Sequence, residues 1–331
     1  MKAPTVTVVG AGIAGLWQAY TLAHRGYAVH LVDRAKIPFN KTASAYAGAM
    51  LAPFCEREGA SPIVQDLGLR SLDIWRSTFG GVVSNGTLVV ALPRDRSELI
   101  RFSRLTDGHR SLGPDDVAEL EPDLGGRFET ALFYAEEAHL EPAAAGAFLL
   151  RTMRRLGAKI TFDQTWSEDD GSDYVIDCRG MGAKEDVTAL RGVRGERLIV
   201  QNRDISLRRP IRLLHPRSPL YVVPWDMGTY MIGATVLESD EQGPVTLRSA
   251  MDLLATAYAL HPAFGNARIV SIDAGVRPAF PDNIPRVIVC GRKIIVNGFY
   301  RHGFLLAPAL AELVADYLAG SVVLSPLISE E

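Results

Sequence analysis

Thr5-Val6-Thr7-Val8-Val9-Gly10-Ala11-Gly12-Ile13-Ala14-Gly15, near the start of the chain, joins an apolar run to a glycine-rich turn. The β-branched run Thr5–Val9 suits a buried strand. From Ile13 to His24 the apolar spacing turns helical, with Leu16, Ala19, Tyr20 and Ala23 on one face, and Gly26 follows as a stop. Ala28–Val32 reads as a second strand, with Asp33 at its end and Arg34 beyond. In a strand–turn–helix–strand unit each glycine has a task. Gly10 permits the tight turn, Gly12 lets the backbone approach a pyrophosphate, and Gly15 lets the helix pack close on the strand. The amides of Ile13 and Ala14 open the helix, where free N–H groups and the positive dipole end favour phosphate. Asp33 lies 23 residues after Gly10, where a carboxylate can accept from ribose hydroxyls. The motif fits FAD and NAD equally.

Two further segments favour FAD. Thr42-Ala43-Ser44-Ala45-Tyr46-Ala47-Gly48-Ala49-Met50 is rich in small residues that let backbone lie against a flat ring, and the Thr42 and Ser44 hydroxyls can reach phosphates. Phe299-Tyr300-Arg301-His302-Gly303-Phe304-Leu305 precedes a helix expected over 308–318, whose N-terminus would stabilise negative charge on a reduced flavin.

Elsewhere, helices are expected over 61–78, 94–105, 114–120, 142–156 and 246–260, and strands at 87–92, 132–134, 159–162 and 174–180. Residues 199–237 read as antiparallel strands, and 287–290 and 294–297 as short strands. The expected fold is α/β: a discontinuous FAD-binding Rossmann-like domain (1–80, 140–190 and 270–331) with an inserted antiparallel β-rich substrate domain (81–139 and 191–269).

The 331 residues are long enough for such an arrangement, and 47% hydrophobic with 22% charged residues is ordinary for a globular chain. A net charge of −3 argues against a nucleic-acid binder. No apolar run reaches the ~18 residues of a membrane span, and no signal peptide is read, so the expected setting is cytoplasmic. Cys55, Cys178 and Cys290 are too scattered for a disulfide framework or a zinc site. Cys55 follows the small-residue loop, yet a free buried thiol is the commoner use of such a residue than a covalent flavin link.

These motifs resemble the glycine oxidase branch of the D-amino-acid oxidase superfamily, the oxidase of bacterial thiamine biosynthesis, over nearly the whole chain. The resemblance rests on the N-terminal turn, Ser44–Leu51, Val193-Arg194-Gly195-Glu196 (read as a turn) and Tyr221-Val222-Val223-Pro224 followed by Ile232-Gly233-Ala234-Thr235. It rests also on Gly275-Val276-Arg277-Pro278 and Phe299–Pro308. It implies non-covalent FAD and oxidation of glycine or a similarly small amino acid, with dioxygen as acceptor and hydrogen peroxide as product. Arg277 would grip the substrate carboxylate, Tyr221 would bond the same group, and Arg301 would stand beside the substrate. Trp166 would lie near the adenine, and Cys178-Arg179-Gly180 near the pyrophosphate. A thiazole synthase that consumes the imine would be a partner, and a homo-oligomer is compatible with the resemblance.

The chain departs from the family pattern in a shortened stretch after Trp166, in Val236 where methionine often faces substrate, and in Pro219 where histidine can occur. D-amino-acid or sarcosine-type oxidation, an electron acceptor other than dioxygen, an NAD-dependent dehydrogenase and a non-catalytic flavin-binding protein stay open from sequence.

Overall fold

The structure is a computed structural model that describes residues 3–168, 170–321 and 325–330. Two large sheets divide the chain. The first has seven strands, in the spatial order Ile328–Glu330, Arg286–Cys290, Lys293–Asn297, Tyr174–Asp177, Thr5–Val9, Ala28–Val32, Lys159–Thr161. Thr5–Val9 lies parallel to Ala28–Val32 on one side and to Tyr174–Asp177 on the other. Only the pairing of Arg286–Cys290 with Lys293–Asn297 is antiparallel. Helices Ile13–His24, Pro142–Arg155 and Gly303–Leu318 cover this sheet with a core that includes Leu16, Trp17, Leu31, Leu149, Met153, Leu310 and Val314.

The second sheet holds Thr87–Ala91, Arg110–Leu112, Ala131–Tyr134, Ile211–Leu214, Leu220–Pro224, Thr229–Gly233 and Leu237–Glu238, with the long pair Arg191–Gln201 and Arg268–Ala279. It is antiparallel except where Ile211–Leu214 meets Thr87–Ala91. Side chains alternate across it. Leu198, Val222 and Ile232 pack with Leu253, Ala257 and Leu260 of helix Leu247–Leu260. Ile199, Val223 and Met231 belong to the opposite face, against Met50 and Tyr221. That opposite face carries the candidate site.

Three expectations need correction. Val193–Glu196 is not a turn but the middle of strand Arg191–Gln201. Arg268–Ala279 pairs along that strand, so the chain changes sheets after Ala279 rather than near residue 270. The last helix begins at Gly303, not Pro308, and runs through the proline. Proline has no N–H to offer the carbonyl four residues back. The Trp75 indole supplies the missing donor, Nε1 donating to the Phe304 carbonyl at 2.7 Å.

Candidate active site

The glycine turn has the geometry its spacing implies. Gly10 adopts φ +101°, and a Cβ there would stand 2.6 Å from the Cys178 carbonyl oxygen. A Cβ at Gly15 would overlap the Gly10 carbonyl. Both positions therefore require glycine. Gly12 is different: a Cβ would meet only Ser44 Oγ at 3.5 Å, so this side of the turn is open to a ligand.

Asp33 braces the turn, one carboxylate oxygen accepting from the Ala11 amide and the other from the Ala35 amide at 2.7 Å. Arg34 is exposed beside it. Ser44 Oγ accepts from the Ile13 amide at 3.0 Å, which places this hydroxyl at the helix end where a phosphate would be held. Thr42 instead caps its own short helix, donating to the Phe39 carbonyl and accepting from the Ala45 amide at 3.1 Å. Cys178 packs beneath the turn, and Gly180 at φ +57° is held by Asn297, whose Nδ2 donates to its carbonyl at 2.9 Å.

Residues beyond Lys159–Thr161 run beside Asp33, whose carbonyl accepts from Gln164 N–H at 3.2 Å. The Trp166 indole itself turns to Asp170, at 3.1 Å, and lies against the Lys293 ammonium.

The loop before the last helix closes the other side. Tyr300 has φ +51° and donates its amide to the Pro278 carbonyl at 2.8 Å, which fixes this loop to the second sheet. His302 caps the helix, and a Cβ at Gly303 would stand 3.3 Å from Ile13 Cγ2. The N-termini of the first and last helices therefore converge. Phe299, Phe304 and Leu305 send their side chains into the core. Ala47, Gly48 and Met50 bring the small-residue loop over the second sheet; a Cβ at Gly48 would stand 3.1 Å from Tyr221 Cε2.

On that sheet Arg277 lies over Gly195, and Nη1 donates to the Thr235 carbonyl at 3.3 Å. Tyr221 and Tyr300 flank it, with Arg301 nearby. Burial lowers the Arg277 pKa, and among the described residues no carboxylate pairs with it. Arg301 differs: Nη2 stands 3.3 Å from Glu56 Oε1, and that carboxylate raises its pKa. Burial pushes Glu56 up, but Arg301, Arg212 and His302 outweigh it and hold the carboxyl at about 2. Burial holds His302 at about 4, so the imidazole is neutral near pH 7. Of Arg277 and Arg301, the second is therefore paired with a carboxylate and the first is not.

Sequence reasoning missed Glu56 and Arg212, which meet across 156 residues at 2.6 Å, and Arg197, which stacks on Tyr46 and Trp225. No periodicity marks them, since the contacts are made only by the tertiary fold. Val236, expected against substrate, is 47% exposed. Glu196, in the stretch read as a turn, is buried in a pair with Arg194 at 2.9 Å. The three cysteines are unpaired. Among the described residues there is no cluster able to hold a metal ion and no helix long and apolar enough to cross a membrane.

A dinucleotide cradle joined to a second, largely antiparallel sheet is the architecture of a dinucleotide-dependent oxidoreductase. The chain belongs to the FAD dependent oxidoreductase family, whose sequence model matches residues 5–317. It is 50% identical over 314 residues to a Rhizobium etli protein provisionally named thiamine biosynthesis oxidoreductase ThiO, covering 95% of this chain and 96% of that one. Glycine oxidase of Bacillus licheniformis is 28% identical over 356 residues, covering 96% and 93%. The crystal structure of glycine oxidase from Geobacillus kaustophilus superposes with TM-score 0.81 at 22% identity, covering 97% of this chain and 96% of that one. The α/β fold, the flavoprotein class and the family resemblance read from the sequence are thereby borne out.

Proposed function

We propose that the protein oxidises the α-amine of glycine or a similarly small amino acid and supplies the imine to thiamine biosynthesis. The observation that carries this reading is Arg277, a buried guanidinium with no carboxylate partner among the described residues, flanked by Tyr221 and by Tyr300 of the loop that enters the last helix. The relatives named for glycine oxidation and thiamine biosynthesis support it.

FAD fits the residues present. Gly10 to Gly15 and the converging helix N-termini suit the pyrophosphate and an anionic ring, Asp33 suits the ribose, and Ser44 marks the phosphate position. Bound FAD supplies the two-electron acceptor for the amine, with dioxygen as terminal acceptor and hydrogen peroxide as co-product. We place it as non-covalent, because Cys55 is fully buried and burial raises its thiol pKa well above the ordinary value.

The chain's own contribution is orientation. The Arg277 fork takes the carboxylate through two parallel charge-assisted bonds, and the Tyr221 hydroxyl adds a third. This fixes the substrate by its one strong handle and turns the Cα–H and the neutral amine toward the cradle. Arg301, pinned by Glu56, adds positive potential beside the clamp without competing for the carboxylate. Neither Arg277 nor Tyr221 serves as a base, so the amine enters deprotonated. The released imine is consumed by water or by a thiazole-forming partner.

The test is the visible spectrum of purified protein before and after anaerobic glycine. Bleaching of the flavin bands, with peroxide released on admitting air, is the expected result. A flavin that no small amine reduces would overturn the reading.

A further inference from the structure

We propose that Arg197 receives a second anionic group on the substrate, so that the site takes small amino acids carrying a second carboxylate on the side chain or on nitrogen. This deepens the amino-acid-oxidase reading and rests on it for the first carboxylate only.

The argument begins with register. Arg197 is opposite Gly233 on one neighbouring strand and Asp273 on the other, and Gly233 is in turn opposite Tyr221. Tyr221, Gly233, Arg197 and Asp273 thus form one row across four strands, with side chains on the face that carries Arg277. Gly233 contributes no side chain, and a Cβ there would stand 3.0 Å from Met231 Cε and 3.6 Å from Arg197 Cβ. Gly195, two residues before Arg197 on the same face, lies beneath Arg277. The carboxylate clamp and a second guanidinium therefore share one face of the sheet, with the Arg277 guanidinium over Gly195 and the Met231 side chain over Gly233.

Arg197 is only 8% exposed. Its guanidinium carbon stands 5.3 Å from the Tyr46 ring centroid and 5.9 Å from that of Trp225. The two aromatic contacts restrain the guanidinium but give its edge no hydrogen-bond acceptor. Nε and Nη1 are buried with no acceptor among the described residues, and Nη2 stands 3.6 Å from Asp273 Oδ2. That carboxylate already accepts from Ser271 Oγ at 2.7 Å. Buried polar groups in native proteins are almost always satisfied, so two orphaned donors on one restrained guanidinium point to a ligand acceptor. Each of these N–H groups can donate a charge-assisted bond to a carboxylate oxygen. Burial also lowers the Arg197 pKa, despite Asp273, so the aspartate does not compensate the charge.

The experiment uses the FAD-loaded enzyme and two ligands that cannot be oxidised as amines. Diglycolate has a carboxylate at each end, and methoxyacetate keeps the ether oxygen but has one carboxylate. Isothermal titration calorimetry should give diglycolate at least tenfold tighter binding in wild type. Arg197→Gln should erase that preference and leave methoxyacetate within about twofold, while Arg197→Lys should retain part of it. Equal affinity of the two ligands for wild type would overturn the proposal without any variant. An equal loss for both ligands in Arg197→Gln would also overturn it, by assigning Arg197 to the cofactor or the fold. Because no turnover is read, a protein that oxidises no amine would sink the oxidase reading while leaving the ligand ratio to decide the role of Arg197.

Discussion

The guanidinium of Arg277 rests on Gly195, in the space a side chain at that position would fill. The neighbouring strands set this up: Gly195 is opposite Gly275, and Val193 is opposite Arg277. A Cβ at Gly195 would overlap Nη2, the far end of a flexible side chain that can swing aside. Gly195→Ala should therefore melt near the wild-type temperature but carry a displaced clamp. Misplacement by about an ångström can cost ~10²-fold in rate, and kcat/KM for glycine should fall by roughly that factor with flavin content unchanged. Steady-state kinetics with a thermal melt checks this; normal kinetics would place the carboxylate elsewhere.

Removing the arginine itself separates charge from geometry. Arg277→Leu loses about two charge-assisted bonds, roughly 3–5 kcal/mol of transition-state stabilisation, or on the order of 10²–10³ in kcat/KM. Arg277→Lys should fall between, since it keeps a charge but not the fork. Stability should hold in Arg277→Leu, because no carboxylate among the described residues is left unpaired when the guanidinium goes. Kinetics on glycine, sarcosine and D-alanine, with the flavin spectrum as control, is the measurement. An unchanged kcat/KM in Arg277→Leu would remove the clamp from the mechanism.

What the sequence made legible follows from how local each contact is. Thr5 to Asp33 is one contiguous βαβ unit whose glycines announce their backbone geometry, and the structure reproduces it to the residue at both strands and the helix. Gly195 between Arg194 and Glu196 mimics a turn, yet it lies in an extended strand because Arg277, 82 residues away, needs the room. Pro308 mimics a helix start, yet the helix runs through it because Trp75 satisfies the Phe304 carbonyl. The Arg212–Glu56 pair and the buried Arg197 have no local signature, since each depends on which strands become neighbours.

Asp33 offers a test of the cradle. Its two oxygens hold the Ala11 and Ala35 amides, and we propose that they also accept from the ribose hydroxyls. Losing a bond to a charged acceptor costs ~1.5–3 kcal/mol. Asp33→Ala should purify largely without flavin while its far-ultraviolet circular dichroism stays native. The ratio of visible to 280 nm absorbance reads the flavin content directly. A fully flavinated variant would show that the ribose is held by other groups.

Glu137 sets a pH dependence. Its carboxyl is buried, with one oxygen accepting from the Cys55 amide at 2.7 Å and the other unpartnered. Burial raises its pKa from 4.5 to about 7, against the pull of the Cys55 bond and Arg212. A folded-state value above the unfolded one means that the folded form keeps a proton the unfolded form has lost. Stability therefore declines as pH rises from about 4.5 to about 7, and the deficit is complete above that window. Glutamine keeps the acceptor for the Cys55 amide and never ionises. Glu137→Gln should match wild type near pH 4.5 and exceed it by up to about 3 kcal/mol at pH 8. Urea unfolding of both proteins across this range gives the difference curve. A flat difference would show that Glu137 is ionised in the folded protein throughout.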